Sequence, residues 1–362
     1  MNERYSRQTL LKNLGETGQQ KLLQAKVLVV GAGGLGCPVL QYLAAAGIGT
    51  LGIADGDIVS LSNLQRQVLY TSAEIGQYKT SVAAARLRQM NPEIRVNEHL
   101  LFIDTRNALD LFEQYDIIVD GTDNFATRYL INDACVLLNK PLVFGAVYQY
   151  AGQVAVFNVA DQEGVKINYR HLFPVPPSAQ EAPDCATAGV LGTLPGMIGM
   201  MQATEAIKLI TGIGEPLINK MVTYNALNND LMAVDLSAAF ALPITMPENE
   251  HEFKQMNYEI FCNSFSNTVE QIDAAKFRQF LQDENLAIID VREPGEKPLA
   301  TFRHIQLPMS AFKENMDQIP AGDVVIFCQS GKRSLIAGEL LVAHFNDRRR
   351  IYNLKNGILS LG

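Results

Sequence analysis

Two groups of residues in this chain have the types and spacing to do chemistry. The first is built on GAGGLG, Gly31–Gly36, directly after the apolar run Val27–Val30. Lacking Cβ atoms, Gly31, Gly33, Gly34 and Gly36 allow backbone N–H groups to approach phosphate oxygens. Asp55 follows 19 residues after Gly36, where a carboxylate would meet a ribose hydroxyl. Arg66 and Lys79 add two cations, and Asp123 adds a carboxylate at the end of the apolar run Asp116–Val119. A dehydrogenase needs only the loop and Asp55 to hold its cofactor. Nucleotidyl transfer needs more: cations on a triphosphate, a carboxylate for Mg²⁺, and an in-line path for an attacking oxygen. The second group is Cys328–Arg333, CQSGKR, which ends the apolar run VVIF. A cysteine on a short loop, with converging N–H groups, a following helix N-terminus and Arg333 beside it, is held as a thiolate. Such a sulfur suits sulfur or phosphate transfer.

Two α/β units must position these groups. In the first, Val27–Val30 reads as a strand buried on both faces. A helix follows, carrying Leu35, Val39, Leu43 and Ala46 at helical spacing, and Thr50–Ala54 is the second strand. A long polar loop spans 57–79. Thr80–Met90, Asn107–Gln114, Thr127–Asn139 and Met197–Thr211 are expected helices. Arg95–Leu101, Asp116–Val119, Pro141–Gly145 and Gln153–Val159 are expected strands. Residues 160–190 read as an exposed loop, and Met221–Tyr224 with Leu231–Leu236 as a hairpin. Residues 1–240 form this unit and 241–265 a linker. In the second unit, 266–362, Glu270–Asp283 and Lys332–Phe345 are expected helices, and Leu286–Asp290, Val324–Cys328 and Arg350–Leu354 strands. The expected fold class is α/β: a Rossmann-like, mostly parallel sheet followed by a smaller α/β domain.

A net charge of −8 argues against a nucleic-acid partner. No apolar run approaches the roughly 18 residues of a membrane span, and the polar N-terminus MNERYSRQ does not look like a signal peptide. Five widely spaced cysteines with no C-x-x-C pair fit a cytoplasmic protein with free thiols.

RYSRQ at Arg4–Gln8, GAGGLG, ADGDIVSLSNLQRQ at Ala54–Gln67, DGTDN at Asp120–Asn124 and the long run Ala188–Lys208 together resemble the MoeB/ThiF adenylyltransferases, relatives of ubiquitin-activating enzymes. The resemblance implies adenylation, with ATP and Mg²⁺, of the C-terminal glycine of a ubiquitin-like sulfur carrier ending in Gly-Gly. It places Gly31, Gly33 and Gly34 under the phosphates and Asp55 on the ribose. Ser62, Asn63, Leu64, Gln65, Arg66 and Lys79 fall against the nucleotide, Asp123 on the metal, and Asn124 in the nucleotide site. Arg7 would reach a partner's site as an arginine finger, which implies a homodimer. Cys185 would handle the sulfur-loaded carrier. The family's zinc, held by two C-x-x-C pairs, is not expected: His171 and Cys262 supply at most two of four ligands.

The Cys328 loop, with IDVREP at Ile289–Pro294 and IYNLKNGI at Ile351–Ile358, resembles rhodanese-type sulfurtransferases. This implies a persulfide on Cys328, loaded by a cysteine desulfurase or by thiosulfate. An NAD-linked oxidoreductase, adenylation alone, and a non-catalytic binding scaffold with a degenerate second domain are the alternatives. Whether the carrier serves molybdopterin, thiamine or tRNA thiolation stays open.

Overall fold

The computed structural model describes residues 3–174, 176, 189–241, 244, 246–264, 269–283, 286–345 and 349–361. The chain folds as two compact units, one running to Phe261 and one from Cys262.

The first unit holds an eight-stranded sheet. Its strands are β1 (Lys26–Val30), β2 (Thr50–Ala54), β3 (Arg95–His99), β4 (Ile117–Asp120), β5 (Leu142–Tyr148), β6 (Ala151–Phe157), β7 (Lys220–Asn225) and β8 (Asp230–Asp235). They lie in the order β3-β2-β1-β4-β5-β6-β7-β8. The first five are parallel and the last three pair antiparallel. Val27–Val30 and all of β4 are buried, as strands covered on both faces must be. From β1 the chain runs outward to β2 and β3, then crosses to β4 on the other side. That reversal leaves a crevice at the carboxyl ends of β1 and β4, where open α/β sheets hold ligands.

The helix Gly36–Ala46 begins in that crevice. A Cβ on Gly36 would lie 1.9 Å from the Gly31 carbonyl oxygen, and Gly31 itself has φ +91°. Only glycine fits both positions. The 19-residue helix Thr193–Thr211 packs on the Gly36–Ala46 helix and on β5 and β6. From it, buried Gln202 donates to the carbonyls of Asp120 (2.7 Å) and Val143 (3.3 Å), bracing the end of β4.

Residues 250–264, read from sequence as part of a linker, form two helices, Glu250–Gln255 and Tyr258–Ser264. Phe253 is fully buried, and the Tyr258 hydroxyl donates to Asp133 at 2.8 Å. Their few apolar residues are too sparse to show a helical period. Arg170 pairs with the same Asp133 through Nε (2.7 Å) and Nη2 (2.6 Å), and its guanidinium lies 4.6 Å from the Phe261 ring centre. Arg170 sits on a one-turn helix, Tyr169–Leu172, inside the stretch expected to be an open loop.

In the second unit β9 (Glu270–Ile272), β10 (Ala287–Asp290), β11 (Ile305–Gln306), β12 (Val324–Phe327) and β13 (Ile351–Leu354) form a parallel sheet ordered β11-β10-β12-β13-β9. The helix expected over Glu270–Asp283 is in fact β9 followed by Ala274–Phe280. Asp273 caps that helix by accepting the Lys276 N–H at 2.8 Å, so the residues before it are released to pair as a strand. No helix among the described residues is long and apolar enough to cross a membrane.

The Arg170–Asp133 pair is fully buried, at 1% and 0% side-chain exposure. Removing one partner strands a buried charge, so Asp133→Ala is expected to lower the unfolding free energy by about 3 kcal/mol. Urea unfolding, read as a lower midpoint at unchanged slope, checks it.

Candidate functional sites

A cleft with a cavity volume of about 150 Å³ opens at the crevice. Gly31, Gly33 and Gly34 line it from the loop after β1, and Asp55 from the end of β2. Arg66 and Lys79 line it from the polar segment beyond, and Asp123 and Asn124 from the loop after β4. These residues, up to 93 positions apart, are thus brought together.

The glycine loop is held rigidly. Asp55 Oδ2 accepts the Ala32 N–H at 2.8 Å, while the Tyr70 hydroxyl donates to the Ala32 carbonyl at 2.8 Å. Asp55 Oδ1 accepts the Asp57 N–H at 2.7 Å. A carboxylate has about four acceptor positions, so Asp55 keeps capacity for ribose hydroxyls. Lys79 starts the helix Lys79–Met90, and its buried side chain donates to Asp57 Oδ2 at 2.9 Å.

The Asp123 loop is set from below by Asp120. Its Oδ1 accepts the N–H (2.9 Å) and the hydroxyl (2.6 Å) of Thr122, and Arg128 Nη2 donates to the Thr122 carbonyl at 3.2 Å. Complete burial pushes the Asp120 carboxyl up, opposed by the Arg128 charge. Asn124, not Asp123, caps the helix Phe125–Leu137, accepting the Thr127 N–H at 2.9 Å. Asp123 is exposed to the cleft and makes no hydrogen bond or ion pair with the described residues.

Ser62, Asn63, Leu64 and Gln65 are not in the wall of the cleft; they build the turn that carries Arg66. The Ser60 hydroxyl donates to Asn63 Oδ1 at 2.9 Å, and the Asn63 carbonyl accepts the N–H groups of Arg66 (3.1 Å) and Gln67 (3.0 Å). Arg7 is exposed on the short helix Ser6–Thr9 and does not line the cleft of its own chain. Cys185 lies outside the described residues. Sequence reasoning missed Asp57, buried Gln67, and the apolar wall Leu101–Ile103. The signals were present: a second aspartate in DGD, and LLFI continuing past the end of β3.

In the second unit β12 delivers Cys328 to its loop. Sγ accepts the Gly331 N–H at 3.1 Å and the Ser334 hydroxyl at 3.3 Å. Gly357 lies so close that a Cβ on it would meet the Cys328 carbonyl oxygen at 2.4 Å. Burial pushes the thiol up. The Ser334 hydroxyl, with the N–H groups of Ser334, Ser330 and Gly331, outweighs it, so Cys328 titrates below an ordinary cysteine. Arg333 lies within electrostatic reach of the Cys328 sulfur, as expected, but it also has a carboxylate partner. Its Nη1 and Nη2 donate to Glu296 at 2.7 and 2.6 Å. The short-range donor is Ser334, one position beyond the motif read from sequence.

Among the described residues no three His, Cys, Asp or Glu side chains gather as a multi-ligand metal site requires. His171 Nδ1 instead accepts the Asn168 N–H at 3.1 Å, closing the cap of its own helix.

Fold and sites together define a nucleotide-handling α/β enzyme joined to a reactive-cysteine unit. The family model described as "ThiF family" matches residues 5–241, and this chain belongs to the ThiF family. It is 41% identical over 369 residues to the "Probable adenylyltransferase/sulfurtransferase MoeZ" of Mycobacterium tuberculosis, spanning 99% of this chain and 92% of that one. It is 47% identical over 261 residues to a sulfur carrier protein adenylyltransferase of Thermus thermophilus, spanning 72% of this chain and 96% of that one. Among solved structures, E. coli MccB with ATP matches with a TM-score of 0.55 at 25% identity, over 65% of this chain and 72% of that one. The chain is an enzyme of the adenylyltransferase and sulfurtransferase class.

Ser334→Ala removes the hydroxyl on Cys328 and is expected to raise the pH at which the thiolate forms. Iodoacetamide alkylation of Cys328, followed against pH by peptide mass spectrometry, should show the wild-type rate rising at lower pH than the variant's.

Proposed function

We propose that the first unit adenylates the C-terminal glycine of a ubiquitin-like sulfur carrier, and that Cys328 then supplies its sulfur. One observation carries the first half. Lys79 is paired with Asp57, but Arg66 and Asp123 face the same cleft and neither makes an ion pair with the described residues. Two charges of opposite sign, both left for a ligand, suit a nucleotide triphosphate with its metal better than a dinucleotide held by loop and ribose contacts.

In this reading the glycine loop and Asp55 orient ATP, and Arg66 and Lys79 bear on its phosphate charge. Asp123 fits Mg²⁺, which typically takes one or two protein carboxylates beside substrate phosphates. When bound, the ion neutralises phosphate oxygens. The carrier's carboxylate attacks the α-phosphorus and pyrophosphate leaves. A persulfide anion on Cys328 then attacks the acyl-adenylate and AMP leaves with the bonding pair. Cys185 attacks the Cys328 sulfur of the resulting acyl disulfide, releasing thiocarboxylate and leaving a disulfide that a thiol reductant reopens. The sulfur donor is a cysteine desulfurase or thiosulfate. The reading includes a cytoplasmic homodimer with Arg7 acting across it, and no zinc.

Asp123→Ala is expected to lower carrier-dependent ATP–pyrophosphate exchange by at least about a hundredfold while leaving the far-ultraviolet dichroism unchanged. Undiminished exchange in the folded variant overturns the site. For the dimer, mixing Arg7→Ala with Lys79→Ala protein should restore part of the exchange, because each mixed dimer keeps one intact site. Mixed dimers shown to form without recovery would argue against action across the interface.

A further inference from the structure

The Cys328 loop carries a charge arrangement that sulfur transfer does not itself require. Arg333 ends the loop, and its guanidinium feels the Cys328 sulfur, Glu296 and Glu293. Glu296 takes the guanidinium fork with both carboxylate oxygens, at 2.7 and 2.6 Å, the geometry of a strong two-point pair. The pair holds the Glu296 carboxyl down at about 2, so it stays ionised at any working pH. Glu293 is fixed close by, accepting the N–H (3.1 Å) and hydroxyl (2.9 Å) of Ser310. Arg292 is likewise committed, to Asp290 and the Pro298 carbonyl. Lys332, the other cation of the loop, is exposed, where water and salt screen it.

Loading Cys328 requires its thiolate to attack the outer sulfur of a donor. With thiosulfate, the sulfur–sulfur bond breaks and sulfite leaves with the electron pair. With a persulfide, a thiolate leaves. Both give the same Cys328 persulfide. They differ in charge on approach: thiosulfate brings two negative charges, whereas cysteine persulfide, whose ammonium and carboxylate cancel, brings at most one. Thiosulfate meets a thiolate and two carboxylates around a guanidinium whose fork is already filled.

We infer that Glu296 is a specificity-determining residue for the sulfur donor: by holding Arg333 it turns the Cys328 loop against dianionic donors and leaves it to persulfides. This rests on the sulfur-transfer reading above. Glu296 acts through Arg333 and is a positioning residue.

The test uses the full chain with three donors: thiosulfate, cysteine persulfide, and a cysteine desulfurase carrying its own persulfide. The rate of persulfide formation on Cys328 is read by peptide mass spectrometry. The wild type should favour both persulfides, the third arm showing whether a protein carrier adds to the free one. Glu296→Gln should raise kcat/KM for thiosulfate by roughly tenfold and move the persulfide values much less, while Glu296→Asp retains the wild-type preference. At 24% and 36% side-chain exposure, either partner can be changed without stranding a buried charge. Arg333→Gln is the second variant and should shift the preference further toward persulfides. Equal use of thiosulfate by the wild type, or an unchanged donor ratio in both Glu296→Gln and Arg333→Gln, overturns the inference alone. Failure of every donor to load Cys328 overturns the sulfur-transfer reading and the inference with it.

Discussion

Everything in the first unit depends on the backbone of one residue. Ala32 is gripped at its N–H by Asp55 and at its carbonyl by Tyr70. Asp55 follows directly on β2, and Tyr70 belongs to the polar segment leading to Lys79. The grip therefore ties the glycine loop to the neighbouring strand and to the segment that brings Arg66 and Lys79. The loop also runs tightly against the start of the helix, where a Cβ on Gly36 would collide with the Gly31 carbonyl. The amides of the glycine loop are thus set before any ligand arrives, which removes an ordering cost from binding.

The two sites treat charge in opposite ways. In the cleft, Arg66 and Asp123 make no ion pair with the described residues. Around Cys328, each nearby arginine is matched by a carboxylate, and the sulfur is served by neutral donors from Ser334 and the backbone. The first arrangement suits a multiply charged ligand that completes it. The second stabilises a single small anion while adding little positive field beyond the loop.

Much of this was legible in the sequence because it depends on local pattern. An unbroken apolar run gave β1, β4 and β12; glycine spacing marked both turns; and Asp55 stood at its expected distance. What was not legible rests on interactions between distant residues. Ser62–Gln65 carry the right residue types for a nucleotide site, but they build the turn, and only the next residue, Arg66, lines the cleft. β9 was hidden inside an apparent helix because three residues are too few to show an alternation. Arg333 was expected near Cys328, but nothing local reveals that Glu296, 37 positions earlier, also pairs with it. The helices at 250–264 were invisible for a related reason: the partner of Tyr258 lies in a helix more than a hundred residues upstream.

The crossing from β3 to β4 has a consequence for the birth of the molecule. Val27 pairs with Ile117, Leu28 with Ile118 and Val29 with Val119, so β1 waits for a partner ninety residues away. Synthesis emits chain at about 5–20 residues per second, so β1 and its glycine loop stand for several seconds with one long edge open. β2 can shield the other edge within that time, but the ribosome must complete β4 and the loop that carries Asp123 before the crevice exists at all. The nascent chain therefore exposes an apolar, β-branched edge during those seconds, and a holding chaperone would find its binding site there.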